Sequence, residues 1–262
     1  AHSMIAADLV ARAEPDGHTY LFAVNSALTQ APVLLKQPAV ADPARAFDML
    51  AGFHPGPALF LVKRDLPAQD LRAFVELARS GRLIVGSIGV GSRAHLVGAQ
   101  MNALLGTQLD VIHYKGAGPA LQDLASGQID CSIGSYTGAS PFLQSGRMRA
   151  IAIVSASRSP KLPDLPTFAE SGFDQPVFRL RDWLALAAPA GTPRPILARM
   201  ADMIRDAGET AAVRSARETS AVTEPPLLLD AFDKALAAGM AERHPATGRD
   251  AAAVSYTHLT LP

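Results

Sequence analysis

The chain has 262 residues, with 24 Lys+Arg against 24 Asp+Glu, 48% hydrophobic and 6% aromatic side chains, and one cysteine. A formal charge of zero provides no electrostatic drive toward nucleic acid or an anionic membrane, both of which favour a basic surface, so nucleic acid is not an expected partner. No apolar run approaches the ~20 residues that cross a bilayer, and the lone Cys131 excludes an intramolecular disulfide and a cysteine-rich zinc site.

In chain order, Ile5, Ala6, Leu9 and Val10 recur at helical spacing, and Glu14-Pro-Asp-Gly17 breaks the chain before an apolar strand at 19–24. A helix with no strand ahead of it suggests an α/β unit whose first strand is missing, the first sign of a truncated chain. A second apolar run covers 58–62, and Leu66-Pro67 marks the expected passage from one unit to the next. Leu71, Val75, Leu77 and Ala78 form an apolar helix face that Ser80-Gly81 ends. Strands at 83–88, 109–114, 129–133 and 148–154 then alternate with helices at 93–105 and 119–125, a pattern that predicts a parallel, doubly wound sheet. A proline-rich connection covers 159–166 and a strand 183–188. The helix at 196–203 follows, with Thr192 as N-cap and Pro193 at its first position. The uncharged segment 255–262 looks foreign to the fold and is read as a non-native tail.

The sharpest local signal is Gly89-Val-Gly91-Ser-Arg-Ala94, between a strand and a helix, which satisfies the relaxed dinucleotide pattern G-x-G-x-x-G/A. That pattern also needs a carboxylate at the far end of the next strand, to take a ribose hydroxyl. Here Asp110 precedes the strand, which ends in His113-Tyr114-Lys115, so no nucleotide cofactor is expected. What remains is the underlying physics. Glycines let backbone amides approach a ligand, and a helix N-terminus carries about half a positive charge. Ser87, Gly91 and Ser92 therefore suit an anion cradle, although glycines there also serve a tight turn alone. Tyr114-Lys-Gly-Ala-Gly-Pro119 is a second glycine-rich strand end opening a helix. Two such ends on one sheet point to one edge, where open α/β sheets bind ligands.

Catalytic signatures are missing. The sequence has no G-x-S-x-G elbow, no H-E-x-x-H and no histidine pair three or four apart, and Cys131 sits in an apolar strand as a small core residue. Neither an enzyme nor a metal site is expected; an α/β enzyme with a nucleotide cofactor is the rival from another class. His95, in the first turn after the cradle, suits either donation to a carboxylate or packing on Tyr114. Trp183 suits either the core or a ligand or hinge contact.

The ordered succession Ala13-Glu-Pro-Asp-Gly-His-Thr-Tyr-Leu-Phe22, Ser87-Ile-Gly-Val-Gly-Ser-Arg-Ala-His-Leu96, His113-Tyr-Lys-Gly-Ala-Gly-Pro-Ala-Leu-Gln-Asp-Leu124, Gly127-Gln-Ile-Asp130, Arg158-Ser-Pro-Lys-Leu-Pro-Asp-Leu-Pro-Thr167 and Ala188-Pro-Ala-Gly-Thr-Pro193 resembles the tripartite tricarboxylate transporter substrate-binding proteins, also called Bug receptors. The resemblance runs from about residue 5 to about residue 236. It implies an α/β, two-lobe periplasmic-binding-protein fold of the Venus-flytrap type II, with doubly wound sheets and the first βα unit of lobe one missing. Lobe one would comprise 1–65 and a return segment 179–254, lobe two 66–178, and the non-native tail 255–262. The implied function is a monomeric periplasmic receptor whose signal peptide belongs to the missing N-terminal segment. Such a receptor closes over a small organic carboxylate and delivers it to small and large membrane permease subunits. A sensor kinase is the alternative partner, and no cofactor is implied.

Residue by residue, the resemblance places Asn25 and Ser26 at the cleft from lobe one. It places Ser87, Gly89, Gly91, Ser92 and His95 in the carboxylate loop, and Tyr114, Lys115 and Gly116 at the next strand end. Ser135, Tyr136, Thr137, Asp182 and Trp183 complete the set. Where many members carry an Asp-Asn pair, this chain has Gly134-Ser135. An acidic contact to a ligand amine is thereby lost, and a carboxylate without an amino group is expected.

Overall fold

The computed structural model describes residues 4–24, 28, 40, 42–180 and 182–243. It divides into two compact units, one formed by Ala1–Pro55 with Asp182–Pro262 and the other by Gly56–Arg181.

The first unit opens with helix α1 (Met4–Ala11) and strand β1 (Leu21–Val24), followed by a short helix α2 (Pro43–Ala46) and strand β2 (Phe47–Phe53). The second unit takes the chain from strand β3 (Ala58–Lys63) through helix α3 (Leu71–Ser80), strand β4 (Leu83–Ser87) and helix α4 (Arg93–Leu105). It continues with β5 (Leu109–His113), α5 (Ala117–Ala125), β6 (Cys131–Ser135), α6 (Tyr136–Gln144), β7 (Met148–Ile153) and a 3-10 turn at Pro176–Arg179. The chain then completes the first unit with β8 (Leu184–Pro189), α7 (Arg194–Gly208), α8 (Ala211–Thr219), β9 (Leu227–Leu228) and α9 (Asp230–Arg243).

Among the described residues the first unit holds a four-stranded sheet in the order β1-β8-β2-β9, antiparallel at every pairing. Period-two alternation sends its side chains to two faces. Leu21, Ala23, Ala185 and Ala187 pack with Ala7 and Val10 of α1, with Trp183 and with Phe232 of α9. Leu50, Ala51 and Ala188 pack with Leu197 and Ala201 of α7.

The second unit's sheet runs β5-β4-β6-β3-β7, with β4 parallel to β5 and β6, and β3 antiparallel to β6 and β7. Both faces are covered. Phe60, Val62, Val85 and Cys131 meet α3, α4, Phe168 and Phe178 on one side, while Leu59, Leu61, Ile129 and Ile153 meet Leu121 and Leu124 of α5 on the other. This double burial explains the unbroken apolar run at 58–62, because neither face of β3 meets water. Phe60 sits edge-on to Phe74 at 4.9 Å and to Phe168 at 5.5 Å, and Phe168 stacks on Phe178 at 4.7 Å. Helix α3 follows its amphipathic pattern, capped by the Asp70 carboxylate on Ala73 N–H at 2.8 Å and ended at Gly81.

Several expectations are corrected. The parallel, doubly wound pattern holds only for the β4, β5 and β6 pairings; the remaining pairings of that sheet are antiparallel because β3 alone runs in the opposite direction, between β6 and β7. The change of unit expected at 65/66 lies at 55/56, because β3 hydrogen-bonds β6 and β7, and the return lies at 181/182 instead of 178/179. Strand β2 escaped the sequence reading because it is buried on both faces and interrupted by Asp48 and Gly52, so it lacks alternation. Helix α6 was hidden by Pro141 and by its small residues. Pro193 is the N-cap of α7 and Pro195 takes the first turn, while Asp48 accepts the amides of Gly191 at 3.0 Å and Thr192 at 3.1 Å. The segment 255–262 lies outside the described residues.

Candidate functional site

The register of the second unit brings three chain reversals to one sheet edge. Ser87 lies beside His113, and Gly86 beside Ser132, so β4, β5 and β6 end together and α4, α5 and α6 begin there. Each helix directs its first amides toward that edge, where their partial positive charges add.

The loop between β4 and α4 is held from within. Ser87 is wholly buried; its Oγ lies 2.8 Å from Ser92 Oγ, accepts Gly89 N–H at 3.2 Å and donates to Gly89 C=O at 3.1 Å. Ser92, also buried, is the N-cap of α4 and accepts His95 N–H at 3.5 Å. Gly91 donates its N–H to His95 Nδ1 at 3.0 Å. The two glycines are required because φ is +138° at Gly89 and +79° at Gly91, backbone that L side chains rarely adopt. Below the loop, Ser132 Oγ donates to Gly86 C=O at 2.8 Å. Gly86 itself is closely covered, since a Cβ there would meet Ile129 Cδ1 at 2.5 Å.

The edge carries the exposed Lys115 and the Asp123 carboxylate, and its two histidines are biased toward the neutral form. His95 is 7% exposed, and burial, helped by the neighbouring His113, pushes its pKa down to about 4. His113 is exposed but is also pushed below the usual histidine value by partial desolvation. The two rings meet edge-on at 5.4 Å, and His113 Nδ1 lies 3.2 Å from Ser87 Oγ. Tyr114 donates its hydroxyl to Asp123 of α5 at 2.8 Å, and desolvation together with that bond pushes the phenol up to about 12. Its N–H is donated to Ser87 C=O at 2.7 Å, which ties the second strand end to the first.

The residues named from sequence divide into two groups. Ser87, Gly91, Ser92 and His95 are buried and build the loop, whereas Lys115, Ser135 and Thr137 are exposed and Gly89, Tyr114, Gly116 and Tyr136 are half-buried along the same edge. Gly116 is the N-cap of α5 without a side-chain hydrogen bond, and Ser135 Oγ caps α6 by accepting Gly138 N–H at 3.2 Å. Trp183 is not on this edge: it belongs to the first unit's core, edge-on to His54 at 5.7 Å and to Phe232 at 6.0 Å. Asp182, beside it, also belongs to the first unit. Asn25 and Ser26 lie outside the described residues. The sequence reading missed His113, Ser132 and Asp123 as parts of this edge. His113 was visible as the last residue of a strand, but its contact with Ser87 depends on register. Among the described residues no cluster of His, Cys, Asp or Glu suits a metal ion, and burial pushes the Cys131 thiol well up, against any nucleophilic role.

Parallel strands ending in glycine and serine turns against helix N-termini, in a chain of two α/β units, define a solute-receptor fold of the periplasmic-binding-protein type. The MatC protein of Rhodopseudomonas palustris with bound malate shares it, with a TM-score of 0.80 and 28% identity, covering 96% of this chain and 85% of that one. A second protein of the same species, solved with adipate, has a TM-score of 0.85 and 26% identity over 98% and 84%. A family model described as "Tripartite tricarboxylate transporter family receptor" matches residues 1–224, and the chain belongs to that family. A UPF0065 protein of Bordetella bronchiseptica is 34% identical over 199 residues, 75% of this chain. The chain spans 58% of that relative's length.

Proposed function

We propose that this chain carries the binding machinery of a periplasmic receptor, not an enzyme, which captures a small organic carboxylate at the strand-end edge of its second unit. The observation that carries the reading is the convergence of three helix N-termini on one edge whose loop is built from glycines and serines. Such an edge stabilises an anion with amides and hydroxyls and needs no arginine fork. The malate and adipate held by two structural neighbours support this ligand class. At the end of β6 the chain offers Gly134, Ser135 and Thr137 and no carboxylate, which favours a simple or aromatic carboxylate without an amino group. The loaded receptor then serves small and large permease subunits as a monomer, and a two-component sensor is the alternative partner.

Thermal-shift and calorimetric titration with malate, adipate, succinate, nicotinate and aspartate tests the reading. A bound carboxylate at 100 times its Kd stabilises the native state by about 2.7 kcal/mol and raises Tm accordingly. If none of these acids changes Tm, the ligand class is wrong; if aspartate binds more tightly than succinate, the amine preference is wrong. Co-purification with permease subunits, as opposed to a sensor kinase, decides the partner.

A further inference from the structure

His95 occupies an unusual position for a residue beside an anion site. Its Nδ1 accepts the Gly91 N–H at 3.0 Å, so that nitrogen carries no proton and the neutral ring keeps its proton on Nε2. The amide that a glycine cradle would offer to a carboxylate is therefore already taken, and the Gly89 amide is similarly taken by Ser87 Oγ. His113 of β5 is the titratable neighbour whose field acts on it, its ring edge-on at 5.4 Å, and the loop presents the Gly91 amide.

A proton on Nδ1 turns the acceptor into a donor facing another donor, and the bond to Gly91 cannot persist. Two things favourable to an anion then occur together: the Gly91 N–H is freed, and an imidazolium stands beside the cradle. A carboxylate nearby in turn stabilises the charged ring. We propose that His95 is a positioning residue that couples carboxylate capture to the uptake of a proton, releasing the Gly91 amide as it becomes charged. This rests on the carboxylate site proposed above.

An anion within a few ångströms raises a histidine pKa by about 1 to 3 units. From a value of about 4 in the free protein, the bound state would titrate between roughly pH 5 and 7, so binding tightens as pH falls toward 6.

The test is calorimetry of the whole chain with malate and adipate at about pH 8 and about pH 6, in buffers of different ionisation enthalpy, since both acids remain largely ionised over that range. For a bound-state value of about 6, the middle of that range, the expected result is a Kd about twofold tighter at the lower pH, with about half a proton taken up per ligand bound at pH 6. His95→Asn keeps an acceptor for Gly91 N–H but cannot titrate, so its Kd should become nearly independent of pH; His113→Asn should retain the dependence. Binding without proton uptake in the wild type, which needs no variant to fold, overturns the coupling and leaves the carboxylate reading intact. So does a pH dependence that disappears in His113→Asn and survives in His95→Asn. If neither acid binds at either pH, the carboxylate reading fails and the coupling falls with it.

Discussion

The two units use one chemistry of buried aliphatic strands to different ends. Among the described residues the first unit's sheet is antiparallel at every pairing and is assembled from distant parts of the chain, since β8 inserts between β1 and β2. The second unit is continuous and contains three parallel strands, each followed directly by a helix. Parallel order delivers every strand-to-helix turn to the same edge; antiparallel order sends successive turns to opposite edges. The lesson is that the second unit's edge concentrates helix N-termini by topology alone, before any particular side chain is considered.

The largest expected effects test whether the two cores are equally tight. Phe60, 1% exposed and in contact with two other aromatic rings, should cost about 3–5 kcal/mol when replaced by alanine, and Phe232 in the first unit, 0% exposed, about the same. Urea denaturation followed by circular dichroism measures both. A Phe232→Ala loss below about 1 kcal/mol would mean that the first unit repacks where the second cannot.

Acid should act on the second unit through His95. The unfolded chain binds a proton near pH 6.5 and the folded one only near pH 4, so this group's contribution is complete above about 6.5 and is lost as pH falls toward 4. The loss amounts to up to about 3 kcal/mol, and His95→Asn should flatten the pH dependence of Tm in that window. An equal slope in wild type and variant would locate the acid sensitivity elsewhere.

The next effect is polar. Asp130 links three strands of the second unit: it pairs with Lys63 Nζ at 2.7 Å and accepts Ile84 N–H at 2.7 Å. Asp130→Asn should cost about 1–3 kcal/mol. The bond to Asp130 raises the Lys63 pKa against partial desolvation, so that part of the stability is present at neutral pH and disappears only as pH rises above about 10.5. A wild-type stability unchanged between neutral pH and that alkaline window would argue against it. The smallest effect belongs to the first unit's surface, where Arg205 and Asp202 pair on α7 with both side chains more than half exposed. Arg205→Ala should change stability by less than about 1 kcal/mol, and a larger loss in the same denaturation assay would reveal packing that the pair alone does not explain.

Much of this was legible in the chain. The glycines at 89 and 91, the Ser92 cap and the apolar periodicity of 93–105 are local features, and local sterics and hydrogen bonding suffice to place α4 where it is. The family, too, was legible in ordered motifs. Those motifs did not reveal that β3 belongs to the second unit, because an apolar run that is buried on both faces carries no sign of its partner strands. Nor did they separate Ser87 and His95, which are buried and support the loop, from Ser135 and Thr137, which are exposed on the edge.

The sequence alone determined the elements of the edge and the glycine and serine turns that open α4, since these depend on residue type and short-range geometry. Tertiary structure alone decided which strand ends meet, that His113 reaches Ser87, and that His95 occupies the Gly91 amide. Register and packing are set by the burial of whole faces, to which residues far apart in the chain contribute jointly.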